Sequence, residues 1–342
     1  MNRVIEHNDC LRNTLARKRV LSQLDGAWQD GRFFVPQEAC DAKWLRRHAR
    51  QAGVLEPLPG IFAREEAWAS VTPKQREIMK VDALARAHQS WGFWGYDAAL
   101  IWGLEVPNPL LGDRYIIQTR TPVLPGAAVH HCRPDAAGKL ECVHGIKVTE
   151  FWRTVADCLL RAPFSFGLAI ADSALRLTCQ TNESLESHLR ETCKGRRGVG
   201  NALTIARYAN ALSENGGESR FRAFFIVYGF EVPELQVEFE DLLEPDRAFR
   251  VDYLWHLSDG TLLIGELDGL EKYCIGGDKE PDVRAFADER QRESRLSLLG
   301  HRIIRFSFNE LSNPRMLMEK LERAGVPRSP NRAEDWLRRW NG

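Results

Sequence analysis

The sequence predicts a multi-domain α/β protein. Three observations carry that expectation. At 342 residues the chain has room for two or three separate cores. Helical spacing and strand-like alternation both recur from end to end. The last third reads α-β-β-β-α-β, the order of a mixed sheet flanked by helices.

Residues 1–63 form the first expected domain. Ala39, Ala42, Leu45 and Ala49 predict a helix from about Gln37 to Gln51, stopped by Gly53. "VLEPLPGIFA" then places apolar residues around a Pro-Gly turn, as a small β-wing would. Helix, turn and wing in that order end a winged helix-turn-helix. Residues 64–180 form a middle mixed α/β domain. Thr72 is the expected N-cap and Pro73 the first helical residue. "GYDAALIWGLEVP" is a short apolar helix closed by Gly103. "RYIIQTRTPV" and "ECVHGIKVTE" read as strands, and Pro163 divides two packed helices.

Residues 181–342 form the third domain. Helices are expected near 182–194, 199–213 and 217–229, followed by the strands "LQVEFEDLL", "FRVDYLWHL" and "TLLIGELDG". A charged helix over about 281–299, the strand "HRIIRFSF" and a helix near 310–324 complete it.

Composition narrows the partners. Lys plus Arg number 47 and Asp plus Glu number 47, so any nucleic-acid surface must be local. Eight scattered cysteines show no C-x-x-C pair, which reads as reduced thiols in a cytoplasmic protein. No apolar run approaches the ~20 residues that span a membrane. The adjacent His130 and His131 would point to opposite faces of a strand and make no metal pair.

The third domain carries the chemistry. Two carboxylates, Glu266 and Asp268, interrupt its apolar strand and share one face with Ile264. If Ser258, Asp259 and Gly260 form a three-residue loop with Gly260 left-handed, Asp252 on the preceding strand falls opposite Glu266. A two-residue Asp259-Gly260 turn would shift the register by one and scatter the acids. Three convergent carboxylates call for a hard divalent cation, and Mg²⁺ or Mn²⁺ with a phosphate substrate suits them. The plain alternative is an edge strand whose acids face water or pair with Arg.

The run from "ESRFRAFF" to "LLIGELDGLEKY", followed by "ERQRESRLSLLGHRIIRF", resembles the very-short-patch-repair-like branch of the PD-(D/E)XK nuclease superfamily. The resemblance covers roughly residues 199–312. It joins E-S-x-x-R, a Gln before the first strand, V-D, E-x-D-G, E-R-x-R-E and G-x-x-x-x-R-F. It implies a restriction-endonuclease-like mixed sheet and a Mg²⁺- or Mn²⁺-dependent endonuclease acting on DNA. Asp252 would be the metal-binding Asp, with Glu266 and Asp268 at the outer positions of E-x-K. Glu218 would be the helical acid near the metal, and Gln236 a polar neighbour. Asp268 departs from the pattern, because the usual Lys orients and activates the attacking water. Lys272 is the candidate to swing in from the following loop. On the charged helix, Arg290 or Arg292 could clamp the scissile phosphate, or form only a solvated ion-pair face.

The front half, over about residues 35–176, resembles the abortive-infection AbiEi antitoxin family. The matching pieces are the wing ending in Gly60, A-A-x-x-x-G-L from Ala98 to Leu104, and V-T-x-x-x-R-T-x-x-D from Val148 to Asp157. That resemblance implies a winged helix ahead of an α/β domain, a role in phage defence and a cognate toxin protein as partner. Lys43, Arg46, Arg47 and Arg50 crowd the proposed recognition helix, where cations can contact phosphates or guanine edges. The alternative function is an antitoxin-like transcriptional regulator of a toxin-antitoxin system, with the nuclease fold as an inactive platform.

Overall fold

The computed structural model describes residues 17–241, 248–268, 298 and 300–330. The chain divides into two compact units, one formed by the residues up to Gly103 plus Asn108–Thr154, the other by Leu104–Pro107 plus the residues from Val155 onward. The architecture is mixed α/β. No helix among the described residues is long and apolar enough to cross a membrane.

The first unit opens with α1 (17–29) and an extended segment in which Phe34 bridges Phe62. Helix α2 (Ala39–Ala52) ends where Gly53 adopts φ 59 and returns its N–H to the Ala49 carbonyl, a left-handed stop that glycine accepts without a Cβ penalty. Strands β1 (Val54–Leu58) and β2 (Ile61–Arg64) form an antiparallel hairpin around Gly60. Leu24, Phe34, Leu45, Val54 and Phe62 close a small core beneath it. The Phe34 segment separates α1 from α2.

The same unit continues through α3 (Glu65–Ser70) and α4 (Pro73–Ala87). Thr72 and Gln75 cap α4 reciprocally, at 3.2 and 2.9 Å. Then come β3 (Gly92–Phe93), α5 (Gly95–Ile101), β4 (Arg114–Ile117), β5 (Val129–Cys132), the short α6 (Pro134–Ala137), β6 (Leu140–Val143) and β7 (Ile146–Thr149). These strands make a five-stranded mixed sheet in the order β5-β4-β3-β7-β6. Arg114, fully buried, is held between Glu77 and Asp97. His130 pairs with Asp113 and His131 with the Gln118 carbonyl, so the two histidines have separate partners.

Helix α7 (Phe151–Leu159) leads into the second unit, which holds α8 (Phe164–Thr178), α9 (Asn182–Thr192), α10 (Val199–Tyr208) and α11 (Gly216–Val227). Helix α8, which the sequence places in the middle domain, packs here against α10 and α11. A buried ion pair explains the attachment: Arg222 of α11 donates to Asp172 of α8 at 2.6 Å. Strands β8 (Glu234–Glu240), β9 (Ala248–His256), β10 (Leu262–Leu267) and β11 (Arg302–Phe306) form a four-stranded sheet ordered β11-β10-β9-β8. Its first three sequential strands pair antiparallel, and β11 joins β10 in parallel. A parallel neighbour requires a long crossover. The charged helix expected over 281–299 falls in that crossover and lies outside the described residues apart from Leu298. Phe221, Phe225, Tyr253, Trp255 and Phe306 dominate the core, and the helix Pro314–Ala324 follows.

Candidate active site on the four-stranded sheet

The hairpin between β9 and β10 sets the geometry. Leu257 N–H bonds to the Thr261 carbonyl and Gly260 N–H to the Leu257 carbonyl, both at 2.9 Å, with Gly260 at φ 84. This is the three-residue loop of Ser258, Asp259 and Gly260. It gives the register Leu262↔His256 through Gly265↔Tyr253. Carried one residue further, that register sets Glu266 against Asp252. On the other side, Leu235↔Tyr253 and Val237↔Val251 flank Gln236 opposite Asp252. The parallel pair adds Glu266↔Arg305. One row across four strands thus reads Gln236, Asp252, Glu266, Arg305.

Glu266 is 6% exposed, and Asp252 is half-buried with Oδ2 accepting from the Leu267 N–H at 2.7 Å. Glu218 comes from the first turn of α11. Gly217 makes this approach close, since a Cβ there would sit 2.8 Å from Leu267 Cδ2 and 2.3 Å from Phe308 Cζ. Glu218 accepts from Glu214 N (2.8 Å), Asn215 Nδ2 (2.6 Å) and Gln236 Nε2 (3.0 Å). Burial pushes its carboxyl up to about 7, and the charge of Asp252 adds to the rise against the lowering effect of the Glu214 and Gln236 bonds.

Asp268 pairs with a cation. Its Oδ1 accepts from Arg305 Nη1 at 2.9 Å, because the parallel strand sets Arg305 beside Glu266 on the same face. Among the described residues no three of the acids Asp252, Glu266, Asp268 and Glu218 bring oxygens within 4.8 Å of one another. The one group at that spacing, Glu38, Cys40 and Asp41, already holds Arg19 through Asp41 at 2.7 Å. Lys272 and Arg292 lie outside the described residues, as does Arg290.

In the first unit, Lys43, Arg46, Arg47 and Arg50 are all exposed on α2. Arg46 differs from the rest. It grips Glu56 of β1 through Nε and Nη2 at 2.6–3.0 Å, while Glu56 also accepts from Gly60 N at 2.7 Å. The Arg46 guanidinium holds the Glu56 carboxyl below its usual range.

Two members of the site carry no role in the sequence reading. Asn215 caps α11 by accepting from Gly217 N and Glu218 N, and its amide orients Glu218. Arg305 has a visible signal, since it is the Arg of the G-x-x-x-x-R-F element. Comparison with protein-family models, curated proteins and solved structures finds no match to this chain.

Proposed function

We propose that the second unit is a Mg²⁺- or Mn²⁺-dependent endonuclease that hydrolyses DNA phosphodiester bonds, and that the first unit contacts DNA. The observation that carries this reading is the row of Asp252 beside Glu266, with Glu218 bonded to Gln236 of the same row. The donor set is carboxylate oxygen, which suits a hard divalent cation. The raised Glu218 carboxyl marks a buried place short of positive charge. Asp252 and Glu266 would hold the ion, which when bound supplies Lewis-acid polarisation and a water of lowered pKa. In the reaction, a water oxygen bonds to phosphorus, one sugar ester oxygen leaves, and a proton from water ends on that oxygen. Glu218 would add an outer ligand to that ion, held by the Gln236 amide at 3.0 Å.

Purified protein should nick or cut plasmid DNA with Mg²⁺ or Mn²⁺, and the Asp252→Ala/Glu266→Ala variant should not. Equal cutting by that variant would remove both acids from the chemistry. A second reading, an antitoxin-like regulator, is favoured by two observations: an acid stands where the superfamily has Lys, and Lys43, Arg47 and Arg50 lie exposed on α2. Tight binding to its own promoter without metal-dependent cutting would support it.

A further inference from the structure

In the pattern that this site resembles, positive charge stands two residues after the second acid. Here that position is Asp268, so β10 by itself brings only negative charge to the row. The neighbouring strand differs. β11 sets Arg305 directly beside Glu266, and paired residues share a face of a sheet. Its guanidinium donates from Nη1 to Asp268 at 2.9 Å. The backbone on both sides is fixed. Ile304 and Phe306 are buried in the core, the Phe306 carbonyl accepts from the Asp268 N–H at 2.8 Å, and the Arg305 carbonyl accepts from Lys320 Nζ. The ion pair itself stays open to solvent, with the side chains 31% and 43% exposed.

We propose that Arg305 supplies the cation that meets the attacked phosphate, and that Asp268 is the positioning residue that orients it. The positive charge of E-x-K sits one strand over. This inference rests on the endonuclease reading above. A guanidinium stays protonated throughout the range in which proteins are folded, and it presents a planar fork suited to phosphate oxygens. Arg305 therefore stabilises the charge that builds on the phosphate as water attacks, and takes no proton from that water. Asp268 fixes the plane of the fork and holds no metal, which fits its absence from any carboxylate trio.

Relocating the charge tests this. Cleavage of a DNA duplex is measured with Mn²⁺ for the full chain and for Arg305→Met, Arg305→Lys and the Asp268→Lys/Arg305→Met double variant. Melting temperature and Mn²⁺ affinity are checked against the wild type for each. Arg305→Met should cut about 100-fold more slowly while still binding Mn²⁺. Arg305→Lys should lose less, and the double variant, which returns a Lys to β10, should recover much of the lost rate. Arg305→Gln, which keeps a donor toward Asp268, replaces the Met variant if that one does not fold. A wild type that cuts nothing overturns the endonuclease reading as a whole. A wild type that cuts, with Arg305→Met equally fast, overturns the role of Arg305 alone. So does a double variant no faster than Arg305→Met.

Discussion

Gln236 donates from Nε2 to Glu218 Oε2 at 3.0 Å, and does so from a backbone at φ 54. A non-glycine residue in that region costs on the order of 1–3 kcal/mol and persists where its surroundings dictate it. Here the left-handed residue interrupts β8 at the row position opposite Asp252 and sends its amide toward α11.

The pH dependence of stability follows from Glu218. Its folded pKa is raised from 4.5 to about 7, so its favourable share of stability is complete below 4.5 and is lost as pH rises through 7. At 1.36 kcal/mol per pKa unit, the loss is on the order of 3 kcal/mol. Glu218→Gln removes the titration, though it also costs one of the three hydrogen bonds at every pH. The predicted signature is therefore a slope: the melting temperature of the variant minus that of the wild type should climb between pH 4.5 and 7 and level off above. A flat difference would mean that Glu218 is not held in a buried site in solution.

A second prediction concerns Arg222, the Arg of the E-S-x-x-R element. It lies 4% exposed against a fully buried Asp172, which also accepts from Asn210 N at 2.7 Å. Its role is to tie α11 to α8, and its other guanidinium bond goes to the Tyr208 carbonyl. Asp172→Ala strands a buried cation and should cost about 3–5 kcal/mol in urea unfolding. Adding Arg222→Met should recover part of that loss. A cost under about 1 kcal/mol for Asp172→Ala would show that water reaches Arg222 readily.

These residues also show what a sequence reveals. The Gly53 stop, the Thr72 cap and the Ser258-Gly260 loop were legible because each is decided within four or five residues of chain. With the loop known, the register that sets Asp252 against Glu266 follows by counting. The partner of Asp268 was not legible. Arg305 lies 37 residues away, brought alongside by a parallel crossover whose geometry no local pattern encodes. The packing of α8 on α11 was not legible for the same reason, since the Asp172–Arg222 pair spans 50 residues.

On α2 the four basic residues should separate in a DNA-binding assay. Lys43, Arg47 and Arg50 are exposed and make no ion pair or hydrogen bond with described residues, whereas Arg46 is held by Glu56. If the helix meets phosphates, each of the first three changed to Ala should lower the salt slope of DNA affinity by roughly 0.9. Arg46→Ala should change it least and act mainly on the β1–β2 hairpin. Equal effects at all four positions would show that the Glu56 bond opens on DNA.

The last prediction turns on Gly217, at the second position of α11. On helix propensity alone, Gly→Ala should stabilise by about 1 kcal/mol. At this position the added methyl would lie 2.3 Å from Phe308 Cζ and 2.8 Å from both Asn215 Oδ1 and Leu267 Cδ2. Overpacking of that kind costs about 1–3 kcal/mol, so the sign should reverse and Gly217→Ala should melt below the wild type. Where the Phe308 and Leu267 side chains do not give way, the helix relieves the contact by lifting its first turn from the end of β10, and Glu218 moves with it. Water then reaches the carboxyl, whose pKa should fall from about 7 back toward 4.5. The pH window of Glu218-dependent stability should narrow from its upper end by the same amount. A variant that melts at or above the wild-type temperature, with its pH window unchanged, would show that Glu218 reaches the sheet without the close approach that Gly217 permits.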